Sequence, residues 1–443
     1  CIQLTLEAYQ QLGIPFLVIE PAKAEYRRLA RLPELRGKFN VYTIGEGSSL
    51  PFRLNPLSPV PGVPLGRHID LIKAAFNASF PMFAGMSFVL EEAILEVYTE
   101  RGWSLYTSQN DVLDARPSLD ETSALTPNLE DLYEKIEVVL ARKNYGQEIQ
   151  QNMGAALRSR LRSLMIGNKG LLLNTRRSIP LQHLFETPSV IELQNLGDDE
   201  EKAFVMTLLF VMLYEYAEHR QRQIPANRRG QLQHLTLIEE AHRLLQNVKA
   251  SGNPEVGDPR AKAVAMFADM LAEMRALGEG FIIADQIPTK LAPETLKNSN
   301  LKIVHHLVYP DDRQVVGSCM NLNESQIRHL ANLKPGMAVV HDERVGEAVL
   351  TRVYPVKATR ALEAFDGEMP TGAEFGRNER VYLHRNAGCR SCPSPCDFYS
   401  RVSETTDIDL ALQLYAPFLQ SLLLHEDAAA SWAAWERAAA QWR

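Results

Sequence analysis

Short runs of apolar residues without polar alternation constrain this chain more than any other feature. Phe16-Leu17-Val18-Ile19 closes on Glu20-Pro21, and Leu235-Thr236-Leu237-Ile238 closes on Glu239-Glu240. A strand with one wet face alternates apolar and polar side chains, whereas an uninterrupted apolar run belongs inside a parallel sheet covered on both faces. Residues 40–44, 190–193, 281–284, 302–308, 338–340 and 348–353 add further strand candidates. Helical periodicity fills the intervals at 200–220 and 260–277, and in the second Val264, Phe267, Met270, Leu271, Met274 and Leu277 share one face. Strands alternating with helices predict an α/β fold built on a doubly wound, mostly parallel sheet. Such sheets bind ligands at the carboxyl ends of their strands.

The remainder divides by pattern. Residues 2–12 read as a helix stopped by Gly13, and 53–66 as a proline-rich loop. Residues 67–167 carry helical spacing, with Phe88, Leu95 and Val97 in one helix and Leu132, Ile136 and Val139 in another. The expected organisation is a first part of the core at 1–66, an all-α insertion at 67–167, a second part of the core at 168–357, and a small C-terminal extension at 358–443. At 443 residues the chain is long enough for two or three packed units. A formal net charge of −7 argues against a surface that coats nucleic acid, while leaving room for a local basic lining. The longest apolar stretch, 203–214, is about a dozen residues, short of the roughly 18 a membrane span needs, and reads as a buried core helix. Five cysteines give no disulfide framework and no secretory signal is seen, so a cytoplasmic protein without a membrane partner is expected.

The chemistry gathers at strand ends. Glu239 and Glu240 follow an apolar strand directly, a placement that lets one carboxylate hold Mg²⁺ through water and the next polarise an attacking water. The plainer alternative is an acidic first turn of a helix. Gln286 follows the run 281–284 and could face a γ-phosphate, or be an ordinary loop glutamine. Arg275, eleven residues earlier, could neutralise a phosphate across a subunit boundary or simply cap a helix dipole. His242 reads as a packed structural histidine, and His305 and His306 as strand residues with one face in the core.

The segments IEEAHRLLQN, LAEMRALGEGFIIADQIPTKL, LKNSNLKIVHHL and LKPGMAVV together resemble the HerA/FtsK class of P-loop ATPases, whose plan is shared by conjugation and type IV secretion ATPases. FLVIEPAKAEY, RLNPL, RSRLRSLMIGNKG and VIELQNLGDDEEKAF resemble earlier parts of the same plan, so that matching stretches span residues 1–60 and 155–355. The resemblance implies a RecA/ASCE-like sheet. It makes Glu239 and Glu240 the Walker B pair, Gln286 the polar sensor and Arg275 a trans-acting arginine finger, with ATP and Mg²⁺ as ligands. It further implies a hexameric ring that moves double-stranded DNA and serves a nuclease or other effector in DNA processing or anti-phage defence. A secretion or conjugation ATPase and a non-hydrolysing P-loop scaffold are the alternatives. Two departures stand out. The glycine-rich loop ending in Lys-Ser/Thr is not found in the sequence, and since the helix that follows such a loop starts beside Cys1, it is expected upstream. The first Walker B position is Glu239 where the family usually has Asp.

Two further features carry possible sites. Arg158, Arg160 and Arg162, with Lys169, Arg176 and Arg177 nearby, could line a DNA channel or form a solvated face. Cys389, Cys392 and Cys396 with His384 could hold a structural Zn²⁺, or be reduced cysteines in a proline-rich loop.

Overall fold

The computed structural model describes residues 1–44, 52–82, 85–110, 125–143, 145–176, 178–248, 259–353 and 355. Five strands form one sheet: β1 (Phe16–Glu20), β2 (Asn40–Thr43), β3 (Ser189–Glu192), β4 (His234–Glu239) and β5 (Glu279–Ala284). Their order is β2-β3-β1-β4-β5, and all four pairings are parallel. Every residue of β1 and β3 is buried, as uninterrupted apolar runs require.

The remaining strand candidates do not extend this sheet. β6 (Leu301–Val304), β7 (Met337–Asp342) and β8 (Ala348–Arg352) make a separate antiparallel sheet. The strand expected over 302–308 therefore stops at Val304, and His305 and His306 lie beyond it, both exposed rather than set against a core. Their ring nitrogens approach the carbonyls of Met337 and Ala331 at 3.2 and 3.0 Å.

Helix α1 (Ile2–Leu12) ends at Gly13, whose φ of 68° is the left-handed conformation that glycine adopts without strain. Helices α2 (Leu65–Ser79), α3 (Met86–Thr99), α4 (Leu129–Arg142) and α5 (Gln147–Met165) pack on one another between β2 and β3 in the chain. Leu132, Ile136 and Val139 are wholly buried, and Asn128 closes a reciprocal capping box with Asp131 at the start of α4. Helix α6 (Asp199–Gln223) is buried around its whole circumference from Ala203 to Ala217. Asp198 caps it by accepting from the Glu200 amide at 2.7 Å, and three acidic residues open its first turn. Helix α7 (Pro259–Glu273) buries Val264, Phe267 and Met270 on its periodic face and ends before Met274. Arg275, read in the sequence as lying near the end of this helix, is in the turn that follows it.

One apolar core runs from Leu17 and Ile19 on the sheet through α6 into α2, α3 and α4. Among the described residues no helix is long and apolar enough to cross a membrane. The extension at 358–443, with Cys389, Cys392, Cys396 and His384, lies outside the described residues, as does Arg177.

Candidate active site

Three neighbouring strands of the parallel sheet end in glutamate, and the register places those ends level. Glu20 pairs across to Glu192, and Ile19 to Ile238, which sets Glu20 beside Glu239. Three carboxylates in a row at one sheet end repel one another, and each is held by a different device. Glu192 is fully buried and takes a bidentate grip from Arg27, with Nε at 2.7 Å, while Thr43 donates its hydroxyl at 3.1 Å. Glu20 accepts the backbone amides of Glu25 and Tyr26 at 2.8 and 3.3 Å. Burial pushes its carboxyl up to about 7 against the pull of those two amides, and the Glu192 and Glu239 carboxylates add to the rise. Glu239 accepts the Tyr26 phenol at 2.5 Å. Burial, and after it the Glu239 charge, raise the Tyr26 phenol well above its ordinary range, so it acts purely as a donor.

Glu240 follows with φ and ψ of 48° each, a left-handed conformation uncommon outside glycine and asparagine. Its carboxylate accepts Arg243 Nε at 2.7 Å, and Arg243 Nη1 reaches Asp199 at the start of α6 at 2.5 Å. One turn on, the backbone amide of His242 donates to Asp285 Oδ2 at 2.8 Å, and His242 Nδ1 lies 2.8 Å from the same oxygen. Asp285 Oδ1 accepts the Ile287 amide at 2.9 Å. These contacts tie the end of β4 to the end of β5 and set the backbone on either side of Gln286.

Glu239, Glu240 and Gln286 line a single cavity of about 740 Å³. Glu20 and Tyr26 add polar groups to its lining, and Ile2 and Leu4 of α1, Ile303 and Val340 of the antiparallel sheet and Val353 just after it add apolar ones. Oxygen donors and apolar groups in one lining suit a ligand with a charged and a flat apolar part. Mg²⁺ takes one or two carboxylates plus waters and phosphate oxygens, and the Glu239 and Glu240 carboxylates in the lining fit that demand. Among the described residues no cluster of three or more His, Cys, Asp or Glu side chains has the geometry of an all-protein metal cage, a kind of site that Mg²⁺ does not use.

The other candidate residues are not brought to this cavity. Arg275 is exposed and precedes β5, whereas Gln286 follows it, so the strand separates them by roughly 20 Å. Lys169 is paired with Glu201, and Arg176 donates to the Thr126 carbonyl at 3.0 Å and pairs with Asp131 at 3.1 Å. Arg158 reaches Glu137 at 3.1 Å and Arg160 caps the Ala156 carbonyl at 2.9 Å, while Arg162 is exposed on α5. Glu20, Tyr26 and Glu192 were not singled out by the sequence reading. The signal was present: FLVIE, SVIE and HLTLIE are three apolar runs that each end in Glu.

No protein-family model and no curated protein matches the sequence. Among solved structures, the chain is similar to VirB4 of Thermoanaerobacter pseudethanolicus, with 21% identity and a TM-score of 0.56 over 80% of this chain and 86% of that one. It is more weakly similar to the bacterial conjugative coupling protein TrwB, with 10% identity and a TM-score of 0.48 over 84% of this chain and 83% of that one. A genome packaging NTPase, B204 of Sulfolobus turreted icosahedral virus 2, solved with AMP, shares 16% identity and a TM-score of 0.27 over 40% of this chain and 73% of that one. The likeness to VirB4 shows a shared fold, an α/β arrangement built on a parallel sheet, as the sequence pattern predicts.

Proposed function

We propose that this chain, with its P-loop ATPase fold, is the catalytic part of an ATP-driven motor that moves double-stranded DNA. The convergence of Glu239, Glu240 and Gln286 on one cavity at the carboxyl end of a parallel sheet carries the proposal. Mg²⁺, when bound there, would supply charge neutralisation to the phosphates of ATP, and Glu239 would hold it through water. Glu240 takes the proton of the attacking water, and Gln286 orients that water. Arg275, exposed in the turn before β5 and away from its own cavity, is assigned in this reading to a neighbouring subunit's site. That role is an arginine finger in a hexameric ring.

A cytoplasmic ring of this kind needs an output, and a nuclease or other effector subunit in DNA processing or anti-phage defence is the partner that fits a motor of the HerA type. Arg162, exposed on α5, is the residue of the basic cluster that this reading assigns to DNA phosphates. The fold shared with VirB4 fits a secretion or conjugation ATPase equally well. ATP hydrolysis by the full-length protein with and without bare duplex DNA separates the two. A rate that rises with DNA supports the translocase, whereas hydrolysis indifferent to DNA favours the secretion reading. A protein silent under both conditions removes both.

A further inference from the structure

The site departs from the Asp expected at the first Walker B position by one methylene, and the structure shows what that methylene reaches. Glu239 Oε1 accepts the Tyr26 hydroxyl at 2.5 Å. No other side-chain donor reaches Glu239 among the described residues. Tyr26 is itself pinned on both sides. Its backbone amide and that of Glu25 donate to Glu20, and the next residue, Arg27, grips Glu192. Tyr26 is 6% exposed, so its ring has little freedom to leave. Three consecutive residues of one turn thus reach the carboxylates of three consecutive strands of the sheet, β4 through Tyr26, β1 through Glu25 and β3 through Arg27.

We infer that Tyr26 is a positioning residue for Glu239: its phenol takes one carboxylate oxygen and leaves the other as the acceptor for a metal-bound water. The inference rests on the reading of the cavity as an Mg²⁺·ATP site. A free glutamate has one more rotatable bond than aspartate and loses more freedom on binding. A hydrogen bond from a buried phenol removes that freedom before the metal arrives. Tyr26 and the longer Glu239 then work as a matched pair, and neither is equivalent to its shorter or hydroxyl-free replacement alone.

The test uses Tyr26→Phe, Glu239→Asp and the double variant in the full-length protein. Mn²⁺ binding in the presence of ATP is followed by electron paramagnetic resonance, beside the Mg²⁺ dependence of hydrolysis. Tyr26→Phe is expected to weaken Mn²⁺ binding about tenfold and raise the Mg²⁺ concentration for half-maximal rate by a similar factor, with kcat at saturating Mg²⁺ within about twofold. The double variant is expected to bind Mn²⁺ no worse than Glu239→Asp, because the phenol has nothing to hold once the carboxylate is shortened. Unchanged metal affinity in Tyr26→Phe, or losses that multiply in the double variant, overturns the inference. A fall in kcat alone, with metal affinity intact, overturns it too and marks Tyr26 as merely structural. If Tyr26→Phe does not fold, 3-fluorotyrosine at position 26 keeps the hydroxyl and makes it a stronger donor, and a Mn²⁺ affinity that does not move overturns the inference. If the unaltered protein binds ATP but the variants do not differ, this inference alone falls. If the unaltered protein binds neither ATP nor Mn²⁺, the reading of the cavity falls and takes the inference with it.

Discussion

Asp285 accepts both the backbone amide and the ring Nδ1 of His242, each at 2.8 Å on the same carboxylate oxygen. The first residue follows β5 and the second follows β4, so this double contact fixes the spacing between the strand end that carries Glu239 and Glu240 and the one that leads to Gln286. The carboxylate side chain of Asp285 is 3% exposed, which strengthens both bonds and makes an unpaired His242 amide costly. The contact gives His242 a structural part in joining the two strand ends. Asp285→Ala is expected to lower stability by about 2–3 kcal/mol and to slow hydrolysis by roughly tenfold or more through a misplaced Gln286. Urea unfolding together with steady-state kinetics checks both parts.

Glu240→Gln keeps the shape of the side chain and can still accept from Arg243 while removing the base. Hydrolysis is expected to fall by about 10² to 10⁴, with ATP affinity unchanged. A nucleotide-binding titration beside the rate measurement separates the loss of chemistry from a loss of binding.

Glu20 gives the protein a pH dependence of defined sign. Its folded-state carboxyl is raised to about 7 from an ordinary 4.5. Between those two values the unfolded chain has released the proton and the folded protein still holds it, so stability declines as pH rises across this window and levels off above pH 7. The size of the effect is on the order of 1–3 kcal/mol, from a side chain that is almost fully buried. Glu20→Gln preserves an acceptor for the Glu25 and Tyr26 amides and carries no charge. The variant is expected to flatten the decline between pH 5 and 7.5 and to exceed the parent in stability at pH 8, as read by denaturant midpoints across that range.

Arg27→Ala leaves the wholly buried Glu192 carboxylate with Thr43 as its remaining side-chain partner. An uncompensated buried charge of this kind costs about 2–4 kcal/mol, the lower part of the usual range because Arg27 itself is partly exposed. The companion Arg27→Ala/Glu192→Gln variant is expected to recover most of that loss, which chemical denaturation of the two proteins checks.

Much of this was legible in the sequence, for identifiable reasons. Uninterrupted apolar runs identified β1, β3 and β4, because burial on both faces leaves no room for alternation. The periodic face of 260–277 located α7, and Val264, Phe267 and Met270 are buried as its spacing requires. The separate pairing of β6, β7 and β8 was not legible, since periodicity marks a strand without naming its neighbour. The basic residues show the same limit. Lys169 and Arg176 find Glu201 and Asp131, partners 32 and 45 residues away in the chain, which no local pattern announces. At the site, the adjacent pair Glu239-Glu240 was visible because the two residues are neighbours in sequence. Glu20 and Glu192 reach the same end of the sheet as Glu239 from segments far apart in the chain, only the register of parallel strands sets them level, and Tyr26 arrives with Glu20 in the turn that follows it.

From Ala203 to Ala217 the long helix α6 is covered on every side once the protein is folded, with Phe281 of the sheet, Phe76 of α2 and Phe267 of α7 among the side chains that meet it. A cylinder with no wet face has no stable existence until both of its neighbours are present. The sheet that carries the carboxylates and the helical layer that covers α6 are therefore not free to melt one at a time. Heating the protein should release them in a single calorimetric transition, and a load applied to one is borne by the other as though the two were a single solid part.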